Sequence, residues 1–345
     1  MSAPAASVFL RACRRLPVTY TPVWAMRQAG RYLPEYRRIR ERMSLLDLCK
    51  TPEAAAEVTV QPVDRLGVDA AILFADILLL VEPLGVGLSY AKGEGPVIGR
   101  PVRTHADVAR LPRLDPADTV PFVFETVRLA RRALAGRVPL IGFAGAPFTV
   151  ASYLIEGGPS RDFVLTKRLM YTDPETWTTL MELLAGMTMR YLRGQIDAGA
   201  EAVQLFDSWA GCLSPDAYRR YVMPHTRAVL AALPDHAPVI HFGTGTAGLL
   251  EAMRDAGGDV IGLDWRVHLG DAWARLGLEV GVQGNLDPAI LLSTRAEIER
   301  GVAGILEAAA GRPGHVFNLG HGVLPDTPWE HVRAMVDMVH ELSRR

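Results

Sequence analysis

Short apolar runs recur along the chain, and each ends in a polar or glycine residue that precedes a stretch with helical periodicity. Continuous apolar runs of this length are typical of strands buried on both faces of a parallel sheet. The predicted strands are Ala70–Phe74, Leu140–Ala144, Ala202–Phe206, Val239–Ile240, Val260–Leu263, Glu279–Val282 and Val316–Phe317. Their alternation with helices favours an α/β fold, a single-domain (β/α)8 barrel of the TIM type with one strand not located. A doubly wound sheet is the alternative.

Helix starts are marked by side chains that can cap a helix and that directly precede a proline. Proline is well tolerated at the first helical position, because the N–H that it lacks would have no partner inside the helix. These pairs are Thr51-Pro52, Asp173-Pro174, Ser214-Pro215, Asp287-Pro288 and Thr327-Pro328. The region 83–113, rich in glycine and proline, is expected to be a long loop or excursion. No linker or repeat divides the chain, so residues 1–345 are expected to form one domain.

Side chains capable of chemistry follow the predicted strands. They are Asp76, Ser208, His241, Asp264, Asn285 and His321. Barrel enzymes carry their active sites at the carboxyl ends of the strands, where such side chains converge. We therefore expect an active site at this end of the barrel.

The segment from Arg27 to Arg42 carries six arginines in sixteen residues. Such a cluster repels itself unless solvent, acidic partners or a polyanion compensates for the charge. A proline divides the segment into a loop and a helix, and Arg38 and Arg42 are expected on a solvated helix face. Arg27 and Arg31 lie in the loop, where their guanidinium groups can hold carboxylates in a bidentate way. This loop is predicted to bind a small, multiply anionic molecule.

Composition argues against several other classes of protein. A net charge of −1 without a wider basic face argues against nucleic-acid binding. No stretch reaches the roughly 18 apolar residues of a membrane span, so a soluble protein without membrane association is expected. The three cysteines are far apart, which argues against a disulfide framework or a cysteine-rich zinc site and fits a reducing cytoplasm. No metal-binding pattern such as H-E-x-x-H occurs, so no metal is expected.

One motif suggests a nucleotide. Gly243, Gly245 and Gly248 form a G-x-G-x-x-G pattern after a predicted strand, and Asp264 follows about 20 residues later, as in dinucleotide-binding proteins. The motif lies late in the chain, and the next strand follows too soon for the usual βαβ unit. We interpret these glycines as a strand-end loop.

Several phrases together resemble the uroporphyrinogen decarboxylase family. They are PVWAMRQAGRYLPEY from Pro22, FADIL from Phe74, GFAGAPFT from Gly142, YLIEG from Tyr153, FDSW from Phe206 and NLGHG from Asn318. The resemblance extends from about Phe9 to the C-terminal helix. It implies a cofactor-free barrel, usually a homodimer with facing clefts, that converts uroporphyrinogen III to coproporphyrinogen III in haem biosynthesis by removing the four acetate carboxyls.

The resemblance also implies roles for individual residues. Asp76 is expected at the centre of the macrocycle, where it accepts bonds from the pyrrole N–H groups and stabilises a cation. Arg27 and Arg31 are expected to bind substrate carboxylates, and Arg27 is in addition a candidate for proton delivery. The other residues expected at the substrate are Gln28, Ala29, Gly30, Arg40, Tyr153, Phe206, Ser208 and His321.

Elementary chemistry agrees with this family. Decarboxylation leaves a carbanion and therefore needs an electron sink. The sequence offers no convincing Schiff-base lysine, since only three of its 37 basic residues are lysines. A substrate that is its own sink meets the need, because protonation of a pyrrole carbon creates a cation that accepts the electrons as CO₂ leaves. The enzyme then supplies arginines, an anion and an acid.

Two alternatives stay open at this stage. Zinc- or corrinoid-dependent methyltransferases of the same superfamily bind zinc through His-x-Cys, and the comparable residues here are His241 and Gly243. Zinc that copurifies stoichiometrically would favour that alternative. A porphyrinogen-binding protein without activity is the second alternative, against which the intact Asp76 and the arginine set argue.

Arg31→Lys is expected to weaken substrate binding. Lysine carries a point charge and cannot make the two parallel hydrogen bonds that a guanidinium makes with a carboxylate. The measurement is KM of the variant, and an unaltered KM would contradict the assignment of Arg31 to a substrate carboxylate.

Overall fold

The centre of the molecule is a curled parallel sheet in a computed structural model that describes residues 7–91 and 95–345. The strands are β1 (Ala71–Ile72), β2 (Leu88–Ala91), β3 (Gly95–Ile98), β4 (Leu140–Gly145), β5 (Ala202–Asp207), β6 (Val239–Gly243), β7 (Val260–Gly262), β8 (Gly281–Gln283) and β9 (His315–Val316). Seven of them pair in parallel in the order β1-β4-β5-β6-β7-β8-β9. All seven predicted strands are therefore present, with ends that differ by a few residues.

The strand that the sequence did not locate is the segment 22–24. On one side, the Phe317 N–H donates to the Pro22 carbonyl (2.8 Å) and the Trp24 N–H donates to the Phe317 carbonyl (3.3 Å). On the other side, the Asp69 N–H donates to the Val23 carbonyl (2.8 Å). The segment thus lies between the chain after β9 and the chain before β1, and it closes the sheet into a ring of eight. Three residues containing a proline give no strand signal in a sequence, which is why the prediction missed it.

Helices surround this ring. They are α1 (Val8–Cys13), α2 (Pro34–Arg40), α3 (Leu45–Lys50), α4 (Pro52–Leu66), α5 (His105–Ala109), α6 (Pro116–Thr119), α7 (Pro121–Leu134), α8 (Pro147–Glu156), α9 (Val164–Thr172), α10 (Pro174–Asp197), α11 (Pro215–Tyr221), α12 (Met223–Ala231), α13 (Leu250–Ala256), α14 (Leu269–Leu276), α15 (Arg295–Ala309) and α16 (Trp329–Leu342). Short 3-10 turns lie at Leu79–Leu84, Ala210–Cys212 and Pro288–Leu292. Across residues 7–91 and 95–345, none of the helices combines the length and apolarity that crossing a bilayer requires.

The proline rule for helix starts holds at three of the predicted sites. α4, α10 and α11 begin at the predicted prolines, and the side chains of Asp173 and Ser214 cap the last two. Pro288 instead begins a 3-10 turn. The prediction at Pro328 was wrong by one residue, because α16 begins at Trp329 and Pro328 is the residue before it.

The region 83–113 is an excursion with secondary structure of its own. Strands β2 and β3 form an antiparallel hairpin in which Tyr90 pairs with Pro96, and α5 follows. Hydrogen bonds from Ile98 N–H to the Gly157 carbonyl (2.8 Å) and from Val102 N–H to the Leu154 carbonyl (2.9 Å) attach this excursion to α8 and its end. Residues 92–94 lie outside the described residues.

A buried polar chain crosses the inside of the barrel. The Trp24 indole N–H donates to Gln283 Oε1 (2.9 Å), and Gln283 Nε2 donates to Gln204 Oε1 (3.0 Å). All three side chains are buried. Because an unpaired buried polar group costs free energy, this chain of partners favours one register of the closing segment against β5 and β8.

Asp69→Ala is expected to destabilise the fold, because one carboxylate fastens the closing segment. Asp69 Oδ2 accepts from the Val23 N–H (2.7 Å) and lies 2.8 Å from His340 Nε2 on α16, while Oδ1 accepts from the Tyr20 hydroxyl (2.9 Å). Loss of these partly buried bonds should lower the free energy of unfolding by about 2–4 kcal/mol. The measurement is urea unfolding.

Asp64→Ala is the matched control, since Asp64 is half exposed and its ion pair is with Arg137 on the surface. The expected loss is below about 1 kcal/mol. Equal losses in the two variants would contradict the role given to Asp69.

Candidate active site

A cavity of about 460 Å³ opens at the carboxyl ends of the strands. That volume lies within the roughly 300–1,000 Å³ usual for small-molecule sites. Nine of the eleven predicted site residues line it: Arg27, Ala29, Gly30, Arg31, Asp76, Tyr153, Phe206, Ser208 and His321. The other two, Gln28 and Arg40, lie outside the lining.

Three neighbouring strands bring the central residues together. Arg27 follows the closing segment 22–24, Asp76 follows β1 and His321 follows β9. The closing segment lies between the other two strands, so the residues that follow them meet above the same part of the barrel. Their separation along the sequence is therefore irrelevant to their proximity.

Gln28 supports the loop from below. It is buried, its Oε1 accepts from the Ala25 N–H (3.1 Å) and its Nε2 donates to the Ala70 carbonyl (3.1 Å). The Tyr32 hydroxyl donates to the Gln28 carbonyl (2.6 Å). Gln28 thus ties the arginine loop to the start of β1. Arg40 lies at the end of α2, where its guanidinium donates to the Met43 carbonyl.

The backbone of Arg27 adopts the left-handed conformation, with φ of 58°. A non-glycine residue in this region carries strain of about 1–3 kcal/mol, which the surrounding structure must hold in place. Here the Met26 N–H donates to Asn318 Oδ1 (3.0 Å) and the Val323 N–H donates to the Met26 carbonyl (2.9 Å). The Arg27 side chain then passes directly over Gly322, where a Cβ atom would lie 2.3 Å from Arg27 Cδ. The glycine leaves room for the guanidinium arm.

Asp76 is the carboxylate of this cavity. Its Oδ1 accepts from the Leu78 N–H (2.8 Å) and from the Tyr90 hydroxyl (2.6 Å). Burial raises the pKa of Asp76 above its ordinary value, and the hydrogen bonds from Tyr90 and Leu78 and the charge of Arg27 act in the opposite direction. The acid is thus costly to ionise without partners, and the cavity supplies them.

Tyr90 is a site residue that sequence reasoning missed. It lies on β2 and lines the cavity, whereas the region around it was predicted only to be a long loop or excursion, with no strand. The signal was present: two short apolar runs flank Lys92-Gly-Glu-Gly95, a glycine-containing separation that is typical of a hairpin. What no pattern could reveal is that the hairpin folds back over Asp76.

His321 lines the cavity in neutral form. Burial, together with the charges of Arg27 and Arg266, lowers the pKa of His321 to about 4. Its ring packs edge-on against Trp265, with centroids 6.3 Å apart. Gly320 lets the chain before His321 lie against the backbone of Trp265, because a Cβ atom there would lie 2.3 Å from the Trp265 backbone nitrogen. A neutral imidazole offers hydrogen bonds to a ligand rather than a charge.

The other predicted strand-end residues do not line the cavity. His241 lies inside β6, which extends to Gly243, and it is fully buried. Asp264 Oδ2 accepts from the Gly245 N–H (2.5 Å) and from Arg266 (2.6 Å), so it holds the glycine loop. Asn285 donates to the Asp264 carbonyl (2.7 Å). These contacts support the interpretation of the G-x-G-x-x-G pattern as a strand-end loop.

Within residues 7–91 and 95–345, the charged groups of the lining are two guanidinium groups, of Arg27 and Arg31, and the carboxylate of Asp76. The remaining walls are largely apolar, and Phe206 packs edge-on between Phe143 and Phe242 with centroid distances of 5.5 and 5.8 Å. Such a cavity suits a ligand with a broad apolar body, carboxylates at its edge and N–H donors in its interior.

Comparison with known proteins agrees with this geometry. The family model described as "Uroporphyrinogen decarboxylase (URO-D)" matches residues 5–342. A uroporphyrinogen decarboxylase of Sorangium cellulosum is 58% identical over 97% of this chain and 96% of the relative. One of a Roseiflexus species is 56% identical over 98% of this chain and 99% of the relative.

A solved structure shares the fold at much lower identity. A methyltransferase from Methanosarcina mazei superposes with a TM-score of 0.83 at 20% identity, over 96% of this chain and 97% of that one. At that identity the likeness shows the α/β-barrel fold and no activity. The family match over nearly the whole length is decisive, and the chain therefore belongs to the uroporphyrinogen decarboxylase family of carboxy-lyases.

Proposed function

We propose that the cavity around Asp76 removes the acetate carboxyls of uroporphyrinogen III and so yields coproporphyrinogen III. The observation that carries the proposal is the composition of the cavity lining: among the described residues it holds one carboxylate, with Oδ2 unbonded, together with the guanidinium groups of Arg27 and Arg31. A porphyrinogen offers the complementary pattern, with pyrrole N–H groups at its centre and carboxylates at its rim.

The apolar walls and the arginines would share the work of binding. Phe206 is partly exposed toward the cavity and would pack on the macrocycle. Arg27 and Arg31 would hold carboxylates at the rim. Tyr153, Ser208 and His321 would add hydrogen bonds, with His321 acting as a neutral partner because its pKa is lowered to about 4. The backbone of Ala29 and Gly30 would line the edge.

The reaction needs no electron acceptor other than the substrate. Protonation of a pyrrole carbon makes a cation, the bond between the acetate methylene and its carboxylate breaks, and the electron pair flows into the ring as CO₂ leaves. A proton then adds to the exocyclic carbon to form the methyl group, and the ring carbon loses its extra proton. The balance for each acetate is the uptake of one proton and the release of one CO₂.

Asp76 would lower the energy of the cationic state. Its ionised carboxylate would lie beneath the pyrrole nitrogens, where positive charge develops, and preorganised charge in a partly desolvated cavity is a strong catalytic device. Arg27 would hold the reacting acetate and is the candidate for proton delivery. A guanidinium is a weak acid in water, so holding the carboxylate is its first role.

Assembly, location and domain organisation follow the family as proposals. We propose a homodimer in the cytoplasm, with residues 1–345 as one domain. One hydrophobic core that includes both Phe9 and Val339 supports the single domain. All three cysteines are free thiols, which suits a reducing compartment.

The catalytic test uses uroporphyrinogen III under reducing conditions with no added cofactor, followed by chromatography of the products. The protein should yield porphyrinogens with progressively fewer carboxyls. The absence of any such product would overturn the proposal.

Asp76→Ala should lower kcat by roughly 10²–10³-fold, because the cation loses its counter-charge. Asp76→Asn should lose less, since an oxygen remains for the pyrrole N–H groups. Unchanged turnover in Asp76→Ala would contradict the role of Asp76.

Gly322→Ala should impair catalysis without unfolding the protein. The new Cβ atom would lie 2.3 Å from Arg27 Cδ, so the guanidinium arm must move while the backbone need not. A displaced catalytic group lowers kcat/KM by roughly 10–100-fold. The measurements are kcat/KM and the free energy of unfolding.

Gly304→Ala is the matched control, because nothing lies within 4 Å of its Cβ position on α15. It should keep full activity and gain up to about 1 kcal/mol of stability from helix propensity. If Gly322→Ala also kept full activity, the space that Gly322 leaves for the Arg27 side chain would have no catalytic importance.

A further inference from the structure

The two oxygens of Asp76 are treated differently by the surrounding protein. Oδ1 accepts both the Leu78 N–H (2.8 Å) and the Tyr90 hydroxyl (2.6 Å). Oδ2 accepts no hydrogen bond from the residues that the structure describes. The carboxylate is therefore fixed by one oxygen, and the other remains available to a ligand in the cavity.

We propose that Tyr90 is a positioning residue for decarboxylation, which acts by holding Asp76 Oδ1 so that Oδ2 meets the pyrrole N–H groups. The inference rests on the proposed role of Asp76 and adds a residue that works through it. Without the second donor, a carboxylate anchored by one backbone N–H can rotate about its terminal torsion, which is broad for aspartate. The Tyr90 bond removes that freedom before substrate binds.

The hairpin makes Tyr90 a rigid donor. Tyr90 is paired with Pro96 in the ladder of β2 and β3. Strand β3 is in turn attached to the end of α8, where the Ile98 N–H donates to the Gly157 carbonyl (2.8 Å). The hydroxyl thus reaches Asp76 from outside the barrel, while Leu78 reaches it from the same chain segment. A donor on a fixed element loses little entropy when it forms the bond.

The bond also favours the ionised form of Asp76. Burial and the negative charge of Asp76 raise the pKa of Tyr90, so the phenol remains protonated and donates to the ionised carboxylate, which can only accept. Donation to a carboxylate stabilises the charged state, and the Tyr90 bond is one of the influences that lower the pKa of Asp76 against burial. Removal of the hydroxyl should therefore raise the pKa of Asp76.

Other groups also act on Asp76 from the elements around it. Arg27, from the arginine loop, stabilises the carboxylate. Tyr153 on α8, Cys49 on α3 and Tyr191 on α10 are all affected by its charge, and each has a pKa raised by burial, so they stay neutral. Arg27 is thus the charged neighbour that stays in place when Tyr90 is changed, which makes the acid limb of the pH profile a specific readout.

The test compares Tyr90→Phe with the wild-type protein over a range of pH. The ionised carboxylate is the active form, so activity is lost as the pH falls through the pKa of Asp76. Loss of a hydrogen bond to a charged group should move the acid limb of kcat/KM to higher pH by about one unit. Tyr90→Met also deletes the hydroxyl and should give the same shift, so either variant that folds suffices.

Tyr20→Phe is the matched control. Tyr20 donates to Asp69 Oδ1 (2.9 Å) at the opposite end of the barrel, so this variant also removes one tyrosine–aspartate bond. It should lower stability and leave the acid limb in place. The same shift in Tyr20→Phe would overturn the inference, because the change would then reflect general loosening of the fold.

The remaining outcomes also test the positioning role of Tyr90. A raised KM with an unmoved acid limb would make Tyr90 a direct substrate contact and would overturn the positioning role. A lower melting temperature with an unchanged profile would make it merely structural, with the same consequence. A wild-type protein without turnover would fail the proposed function itself, whereas wild-type turnover with an unmoved limb in the Tyr90 variants would fail only this inference.

Discussion

The site depends on one act of pairing, the insertion of residues 22–24 between the chain after β9 and the chain before β1. Three backbone hydrogen bonds and the carboxylate of Asp69 make that insertion. Because parallel strands all end at the same edge, whatever follows them meets there. The Arg27 loop, Asp76 and His321 follow adjacent members of the ring, and so residues from both ends and the first quarter of the chain form one cavity.

Burial then shifts the pKa of several groups in that cavity. It raises the pKa of Asp76 and lowers the pKa of His321, so the acid needs donors and the imidazole is neutral. Leu78 and Tyr90 supply the donors, and the charge of Arg27 also favours the ionised acid. The cavity thus combines the guanidinium groups of Arg27 and Arg31 with the carboxylate of Asp76 and with neutral hydrogen-bonding groups. This combination matches a ligand whose centre becomes cationic while its rim stays anionic.

Much of this arrangement could be predicted without coordinates. Seven strands were recognisable as apolar runs. The positions of Asp76, Ser208 and His321 just after such runs placed them at the carboxyl ends of strands. His241 was misplaced because β6 continues past it to Gly243. The closing segment was invisible because three residues carry no periodicity. Tyr90 was missed because its contact with Asp76 depends on how the β2–β3 hairpin packs against the barrel.

The sequence by itself determined the family, the α/β alternation and the arginine loop that lines the cavity, because these depend on local periodicity and on motifs contiguous in the chain. Tertiary structure alone decided which of the other predicted residues in this segment stay away from the cavity. Arg27 and Arg31 line it, while Gln28 turns inward to support the loop and Arg40 stays at the end of α2. The reason is geometric: the left-handed turn at Arg27 and the space above Gly322 depend on contacts between segments almost 300 residues apart.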